Sequence, residues 1–506
     1  MKAIRIIGRN SRLSLVQMEL VRDRIREQFP DLPVTLLPRS SRGDQLPDVP
    51  LQTVEGSDFF TQDIFDALAK NEADIAVHSL KDMSAAHFFG ANRFAVVDRD
   101  EVRDVVFFNP DIEEKLQQGK EIRIGTCSPR REEMALEYLQ KALPQTGAFR
   151  ITTKIIRGNI DSRLRKLHEG DYDGIILAAA GINRLLRSKA DQANLCALLK
   201  NKKRMLLPLI ECVPAPCQGA IVAEAHPDNK NAVRILQSIN QMDHMEDCVQ
   251  EKQIALHYGT GCLQRFGVAT IRYQEKKIRY AAGTEQQGQP FTSWKVLPPA
   301  LPEGKKLFST TDYMGRFFGY QYLPDINCFP EPVAFVANYK AVTEPALPWL
   351  RQKDIWASGT KTWLELAKKG YWVTGSADAM GLETLEPVWK SPLFTVSRTN
   401  IRLITHEDAA THWGSKGWNT RAVYRLTDTV NPFLLLQLEQ ADAVFWTSFM
   451  QFERYRTVLK KNLIHFCPAG ETATLLREAG IEPVVFPHIK AFQQWRPAGI
   501  PQPYAV

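Results

Sequence analysis

Apolar runs alternate with amphipathic segments through the first hundred residues. Ile4–Ile7, Val34–Leu37 and Asp74–Ser79 are short apolar runs typical of buried strands. Between them, apolar positions recur at helical spacing over 14–29 and 60–69. Strands that alternate with helices predict parallel β-α-β units with helices covering the sheet.

The same alternation begins again near Val102 and then changes. Strands are predicted at 105–108, 122–124, 151–156 and 174–177, with helices at 130–142 and 160–169. Two α/β lobes in series leave a cleft between them, where strand ends and helix N-termini face a ligand. Helical segments over 229–258 and three strand-like runs (266–273, 277–282, 291–297) then predict a small α+β domain.

Residues 298–304 (PPALPEG) predict a linker, because proline removes backbone donors and restricts the residue before it. Strand–helix alternation resumes beyond this segment. Two stretches there resemble each other, since Trp356–Gly370 and Cys467–Gly480 both read as a strand, a turn with glycine and threonine, a short helix and a closing glycine. The pattern predicts two similar α/β halves.

Composition excludes several classes of protein. The chain has 506 residues, 44% of them apolar and 24% charged, which is ordinary for a globular protein. A net charge of +7 is too small for a nucleic-acid binder that works by bulk charge. Arg5, Arg9 and Arg12 interrupt the apolar N-terminus, and no apolar run reaches the roughly 20 residues of a membrane span. The eight cysteines form no C-x-x-C pair, which predicts reduced thiols, no metal site and a cytoplasmic protein.

Arginines recur where predicted strands end and helices begin. Arg9 and Ser11 occupy one such turn, and Ser128, Arg130 and Arg131 occupy another. Further arginines follow the next strands or open their helices, namely Arg157, Arg163 and Arg184. Helix N-termini with guanidinium groups beside them favour anions. One surface arginine alone is usually solvated, but the repetition predicts a pocket for a polycarboxylate or a phosphate.

Two further motifs carry candidate chemistry. A strand runs directly into His78, Lys81 and Asp82. A carboxylate among cations stays ionised and can stabilise a positive intermediate or carry a proton, although a structural Lys–Asp pair explains the motif equally well. Cys262 lies in a glycine-flanked loop that suits a thiolate or a thioether attachment, whereas a lone cysteine is by default a small buried hydrophobe.

Taken together, these motifs resemble the porphobilinogen deaminase (hydroxymethylbilane synthase) family over residues 1–297. The motifs are GRNSRLSLVQ (8–17), SRGD (41–44), ADIAVHSLKD (73–82), GTCSPRR (125–131), RGNIDSRLRKL (157–167), YDGIILAAAGINRL (172–185), VPAPCQGA (213–220) and GTGCLQ (259–264). The resemblance implies two periplasmic-binding-protein-like α/β lobes and a small α+β domain. The expected boundaries are 1–100 with 206–228 for the first lobe, 101–205 for the second and 229–297 for the third domain, followed by the linker 298–304.

The family resemblance also implies a reaction and its residues. A dipyrromethane cofactor joined to Cys262 by a thioether would accept four porphobilinogen units with loss of ammonia, giving a linear tetrapyrrole. A chain that grows from about two rings to six carries about four to twelve carboxylates. Such a product would explain a cleft rich in cations that bind carboxylates through two hydrogen bonds. Asp82 would be the catalytic carboxylate. Lys81, Ser128, Arg130, Arg131, Arg157, Arg163 and Arg184 would hold the cofactor, and Arg9 and Ser11 the substrate.

The sequence departs from the family pattern near the cleft. Ser57, Asp58 and Gln62 stand where a lysine, a glycine and a lysine are usual, and Met83-Ser84 stands where a proline normally follows the Lys–Asp pair. These changes predict weaker binding of acidic substrate by that segment. They do not touch Asp82 or Cys262.

Residues 305–506 resemble uroporphyrinogen-III synthase more loosely. The matching segments are 333–342, 422–425, 442–448 and 468–473. The resemblance implies a two-lobed α/β region, with Tyr424 assisting departure of a hydroxyl group and with Thr447, Ser448 and Thr472 binding product carboxylates. A Thr-Ser pair after a strand is also a common N-cap, and Asn338 stands where Thr-Ser is usual.

Three hypotheses follow. The first is a monomeric cytoplasmic enzyme that joins porphobilinogen units and then cyclises the product. The second is a deaminase with a non-catalytic C-terminal region. The third is a two-lobed anion-binding protein without catalysis, in which the loop of Cys262 has no purpose.

Overall fold

The protein is described here by a computed structural model. It describes residues 3–40, 62–88, 92–258, 264–273, 276–295, 297–313, 317–324, 328–343, 348–429 and 431–496. Thirteen described strands belong to the first 300 residues: β1 Ile4–Arg9, β2 Val34–Arg39, β3 Ile75–Ser79, β4 Phe94–Arg99, β5 Asp104–Phe108, β6 Glu121–Gly125, β7 Arg150–Lys154, β8 Gly174–Ala178, β9 Lys203–Leu206, β10 Ala220–Ala225, β11 Arg265–Tyr273, β12 Lys276–Thr284 and β13 Pro290–Lys295.

The helices of the same region cover the sheets. They are α1 Arg12–Gln28, α2 Gln62–Ala69, α3 Ala85–Phe88, α4 Ile112–Gln117, α5 Pro129–Ala142, α6 Ile160–His168, α7 Ala179–Arg187, α8 Gln192–Leu199, α9 Lys230–Ile239 and α10 Met242–Tyr258. Helix α1 buries Met18, Val21 and Ile25 against the first sheet, as its apolar spacing predicts.

Two five-stranded sheets form two lobes with the same plan. The order is β2-β1-β3-β10-β4 in lobe 1 and β7-β6-β8-β5-β9 in lobe 2. The predicted α/β class is confirmed, but the sheets are not wholly parallel. Strand β10 runs antiparallel to β3 and β4, and β5 runs antiparallel to β8 and β9. These are the strands by which the chain crosses into a lobe: β5 enters lobe 2 and β10 returns to lobe 1, so each runs from the opposite end of its sheet.

A three-stranded antiparallel sheet, β11-β12-β13, forms the third unit with α10. Beyond it, the chain builds two more α/β sheets. The described strands are β14 Leu307–Ser309, β15 Phe318–Tyr322, β16 Val333–Val336, β17 Asp354–Ala357, β18 Val373–Ser376, β19 Ile401–His406, β20 Thr420–Asp428, β21 Ala443–Phe445, β22 Ile464–Pro468 and β23 Val484–Phe486.

The C-terminal sheets have the orders β15-β20-β19-β16-β17-β18 and β14-β21-β22-β23. Their helices are α11 Thr360–Lys368, α12 Glu386–Trp389, α13 Glu407–Ser415, α14 Pro432–Gln440, α15 Phe449–Tyr455, α16 Glu471–Glu478 and α17 Ile489–Trp495. Residues 307–309 therefore pair with β21, which comes more than 130 residues later.

The C-terminal region packs directly on lobe 2. The indole N–H of Trp363 donates to the carbonyl of Ala142 at 3.0 Å, and that of Trp372 donates to the carbonyl of Arg204 at 3.1 Å. Trp363 and Tyr138 meet edge to face in one hydrophobic cluster shared by both regions. The two halves of the chain thus share a continuous core.

Candidate functional site

A cleft of about 770 Å³ lies between lobes 1 and 2. Two chain segments connect these lobes, residues 100–103 between β4 and β5 and residues 207–219 between β9 and β10. Of the predicted deaminase residues, the structure brings these to the cleft wall: Arg9, Ser11, Lys81, Asp82, Ser128, Arg130, Arg131, Arg157, Arg163 and Arg184. They gather because the carboxyl ends of neighbouring parallel strands meet at one edge of each sheet.

Lobe 1 contributes two turns. Arg9 ends β1, and Ser11 caps α1 by accepting a hydrogen bond from the Ser14 N–H at 3.3 Å. Strand β3 ends at Ser79, and the next three residues form a single 3₁₀ turn that carries Lys81 and Asp82. The side chain of Ser11 therefore serves the helix as well as the cleft.

Lys81 and Asp82 face the cations of lobe 2. Burial lowers the pKa of Lys81; the Asp82 charge opposes this effect, and the Arg131 charge adds to it. The Asp82 charge also acts on Arg131 and Arg163. The carboxylate of Asp82 thus lies among positive side chains from both lobes.

Arg130 and Arg131 open helix α5 after the N-cap Ser128, which accepts from the Arg131 N–H at 3.5 Å. Both guanidinium groups bind the carboxylate of Asp104, at 2.8 Å and 2.7 Å. Burial alone would raise the pKa of Asp104, but Arg131 and Arg130 outweigh it and hold that pKa well below its usual range. One buried carboxylate therefore orients two guanidinium groups at the cleft wall.

Arg157, Arg163 and Arg184 complete the lobe 2 side. The Arg163 Nε donates to the carbonyl of Gly158 at 2.7 Å, and burial lowers the pKa of Arg163. Arg184 is 4% exposed, and its guanidinium binds Asp98 of β4 at 2.8 Å. Arg184 therefore joins the two lobes, whereas Arg157 is half-buried beside the cleft.

The described lining carries a large excess of positive charge. Nine cations line the cleft against two carboxylates, Asp82 and Asp161. Three more carboxylates stand behind the wall and pair with lining arginines, namely Asp98, Asp104 and Asp191. Nine cations against five carboxylates leave an excess of about four positive charges in this part of the chain, so the cleft suits a ligand with several carboxylates.

Sequence reasoning missed several residues of this site. Asp104 begins the apolar strand β5, where a carboxylate has no visible motif. Gln218 is 1% exposed and donates to Asp104 at 2.8 Å. Arg12 of α1 makes a bidentate pair with Asp191 of lobe 2, at 2.7 Å and 2.8 Å. Arg12 is the first residue of helix α1, and this position could have marked it as a candidate. Its partner Asp191, however, lies 179 residues away in the sequence.

The C-terminal candidates lie on different sheets. Tyr424 of β20 is 2% exposed beside Tyr320 and Tyr322, and burial raises the pKa of its hydroxyl. Thr447 precedes α15, and its hydroxyl donates to Gln451 at 3.0 Å. Ser448 caps α15 in a reciprocal capping box with the same glutamine. Thr472 is half-buried in the first turn of α16.

Other predicted positions fall elsewhere. Cys262, Ser57 and Asp58 lie outside the described residues. The seven described cysteines are free.

Asp243, His244 and Asp247 come within 4.8 Å of one another, but Arg272 and Lys277 bind the two carboxylates, so these acids already have cationic partners. Among the described helices, none is long and apolar enough to cross a membrane.

The fold and the cleft together define a two-lobed α/β protein with a cationic cleft between its lobes. Comparison with known proteins identifies it further. Residues 4–234 match the family model for porphobilinogen deaminase, dipyromethane cofactor binding domain. The chain belongs to the porphobilinogen deaminase family, and its cofactor is dipyrromethane.

Two curated relatives are similar over most of their length. Porphobilinogen deaminase of Streptococcus sanguinis is 32% identical over 264 residues, 52% of this chain and 80% of the relative. The enzyme of Thiobacillus denitrificans is 34% identical over 279 residues, 55% of this chain and 83% of the relative. Among solved structures, a periplasmic substrate-binding protein from Coxiella burnetii is 14% identical with a TM-score of 0.25, covering 49% of this chain and 96% of that one.

Proposed function

We propose that this protein is a hydroxymethylbilane synthase, a transferase that condenses four porphobilinogen units with release of ammonia. The observation that carries the proposal is the convergence of nine cations and Asp82 on one interlobe cleft. A third role, anion binding without catalysis, does not explain a carboxylate placed inside a cluster of positive side chains.

The cleft fits a cofactor with four carboxylates, because its described lining holds about that excess of positive charge. Arg130 and Arg131 present fixed guanidinium groups, while Lys81 and Arg163 have a pKa lowered by burial and gain from a nearby anion. Arg157 is also placed to bind carboxylates, and Ser128 to donate a hydrogen bond. When bound, dipyrromethane supplies the pyrrole carbon on which new units are joined.

Arg9 and Ser11 lie on the opposite wall, where they would bind the acetate and propionate of porphobilinogen. Asp82 would act on the substrate directly. Loss of ammonia from porphobilinogen leaves positive charge on its pyrrole ring, and a fixed carboxylate stabilises that charge. The same carboxylate accepts a hydrogen bond from the pyrrole N–H and can take the proton released when the new carbon–carbon bond forms.

We further propose that Cys262 carries the cofactor. The support is the glycine-flanked loop of this residue and the position of Gln264 and Phe266, which line the cleft. Departures at Ser57, Asp58 and Gln62 leave this proposal unchanged, since none of them supplies the thiol.

The direct test of the deaminase proposal is incubation of the full chain with porphobilinogen. Release of one ammonia per unit consumed, with a linear tetrapyrrole as product, supports the proposal. Binding of porphobilinogen without ammonia release would instead establish an anion-binding protein.

For residues 305–506 we propose a uroporphyrinogen-III synthase-like unit that cyclises the product. The two α/β sheets of this region and its motif resemblance support the proposal. Tyr424 is buried, and Thr447 and Ser448 hydrogen-bond within their own turn, which favours the alternative of a non-catalytic region. Isomer analysis of the oxidised product separates the two: type III porphyrin supports the synthase, and type I alone supports the alternative.

A further inference from the structure

The two segments that connect the deaminase lobes run side by side. The Asp100 N–H donates to the carbonyl of Gly219 at 3.1 Å, and Gln218 donates to the carbonyl of Val102 at 2.7 Å. Gly219 has φ +85, and a Cβ atom there would come within 2.3 Å of the Asp100 oxygen, so only glycine allows this approach. Any change in the angle between the lobes requires a change in the conformation of these segments.

One residue of the C-terminal region contacts both segments. The carboxylate of Asp378 accepts a hydrogen bond from the Leu209 N–H at 3.2 Å and lies 3.5 Å from the guanidinium of Arg103. Asp378 is 1% exposed and follows strand β18. A buried carboxylate of the C-terminal region is therefore bound by both segments that connect the deaminase lobes.

The loop that carries Asp378 is held in an unusual backbone conformation. Asp378 and Ala379 have φ +52 and +57, in the left-handed region that non-glycine residues rarely adopt. The Ala379 N–H donates to the carbonyl of Ser358 at 2.8 Å, which holds the loop to the C-terminal region. Such a conformation persists only when its surroundings determine it.

Neighbouring contacts strengthen the same attachment. Met380 belongs to the hydrophobic cluster that contains Leu209 and Ile210 of the second segment. Lys490 of α17 pairs with Glu211 of that segment at 2.7 Å. The C-terminal region thus contacts residues 209–211 by a hydrogen bond, an ion pair and apolar packing.

These contacts adjoin the cationic cleft through the chain itself. Arg103 immediately precedes Asp104, the carboxylate that orients Arg130 and Arg131. The carbonyl of Arg103 also accepts from the N–H of Ala179, the first residue of helix α7, which carries Arg184. A shift of Arg103 therefore moves the start of β5 and of α7 together.

We propose that Asp378 is a positioning residue for the deaminase reaction, which restrains the two connecting segments and so keeps the lobes at the angle that binds porphobilinogen. The proposal rests on the deaminase function proposed above. Without the restraint, a smaller fraction of molecules has the binding-competent angle, and the apparent affinity falls by that fraction. The reaction within the closed cleft is unaffected.

The test compares D378N with D354N in the full holoenzyme. Asp354 also faces lobe 2, at 3.7 Å from Arg204, but it is 53% exposed on its side chain and contacts neither connecting segment. Amide hydrogen exchange of residues 100–104 and 207–212 should be at least fivefold faster in D378N and unchanged in D354N. The KM for porphobilinogen should rise at least threefold in D378N, with kcat within twofold of wild type.

If Asp378 only stabilised the fold, D378N would contain less active enzyme, and its kcat would fall without a rise in KM. Equal exchange rates in D378N and wild type, an unchanged KM, or the same changes in D354N would each overturn the proposal. If D378N does not fold, K490Q serves instead, because it removes the ion pair of a partly exposed lysine with Glu211 of the same segment; unchanged exchange at 207–212 in K490Q would then reject the restraint. Absence of turnover in wild type would refute the deaminase proposal, while the exchange rates still decide this one.

Discussion

At the scale of single residues, Asp82 and Asp104 show two uses of a carboxylate in one cationic cleft. Asp104 is buried behind the wall and binds two guanidinium groups, so its charge is already matched. Asp82 lies on the wall, where its charge acts on Lys81, Arg131 and Arg163 and remains available to a ligand. Asp104 orients the arginines of the site, and Asp82 is the carboxylate that we propose to contact the substrate.

We expect D82N to lower turnover of porphobilinogen by about a hundredfold or more, since general acid–base groups contribute about 10²–10⁴. D161N is the matched control, because Asp161 is the second carboxylate among the described lining residues. Its turnover should stay within about fivefold of wild type. Turnover near the wild-type rate in D82N, with the cofactor attached, would remove Asp82 from the mechanism.

D104N should destabilise the fold and not only the site. Removing one partner of a buried ion pair leaves uncompensated charge and costs about 3–5 kcal/mol, and Asp104 pairs with two arginines. D111N is the control, since Asp111 is 48% exposed and forms a surface pair with Lys115 worth about 1 kcal/mol or less. Urea unfolding of both variants measures the difference; similar losses would contradict the role of Asp104.

Sequence reasoning found the arginines but not their carboxylate partners, for a physical reason. Arg9, Arg130 and Arg157 lie at strand ends or just after them. Because the strand ends of one sheet meet in space, the position of these arginines can be predicted from their motifs. Asp104, Asp98 and Asp191 pair with arginines 26, 86 and 179 residues away. Such pairings depend on how the lobes meet, which local patterns do not encode.

At the scale of elements, helix α17 joins the C-terminal region to the deaminase units. His488 caps α17 by accepting from the Lys490 N–H at 3.2 Å, and its ring stacks on Trp294 of β13 at 6.1 Å. Burial lowers the pKa of His488 to about 4, with the Lys490 charge adding to it and a hydrogen bond to the backbone of Asp378 opposing it. Burial raises the pKa of Asp378 to about 6.

The pKa shifts of His488 and Asp378 predict opposite pH dependences of the unfolding free energy. For His488 the unfolded chain binds more protons between about pH 4 and 6.5, so stability is lost as pH falls. For Asp378 the folded protein binds more protons between about pH 4 and 6, so stability is lost as pH rises.

Relative to H488N, wild type should therefore lose at most about 3 kcal/mol of unfolding free energy when pH falls from 6.5 to 4. Relative to D378N, it should gain a similar amount over the lower part of that range. Asparagine at 488 keeps a capping side chain. Calorimetric unfolding of the three proteins at several pH values measures both slopes, and slopes of the same sign would contradict the assignment.

At the scale of the whole molecule, three units form the deaminase part and two sheets form the C-terminal region. The hydrophobic pattern predicted the α/β class and most strands of both lobes, because buried strands and amphipathic helices leave periodic signals. It did not predict the antiparallel β5 and β10, whose direction depends on how the chain crosses from one lobe to the other. Nor did it predict Asp378, which acquires its partners only when two distant regions pack.

We propose above that a covalently held dipyrromethane in the cationic cleft primes the condensation of porphobilinogen. The most direct test is the intact mass of the purified protein, with C262A as the control. We expect the mass of wild type to exceed its sequence mass by one dipyrromethane, while C262A should have the mass of its unmodified chain. A wild-type protein with an unmodified mass, or a C262A protein that still carries the added mass, would contradict it.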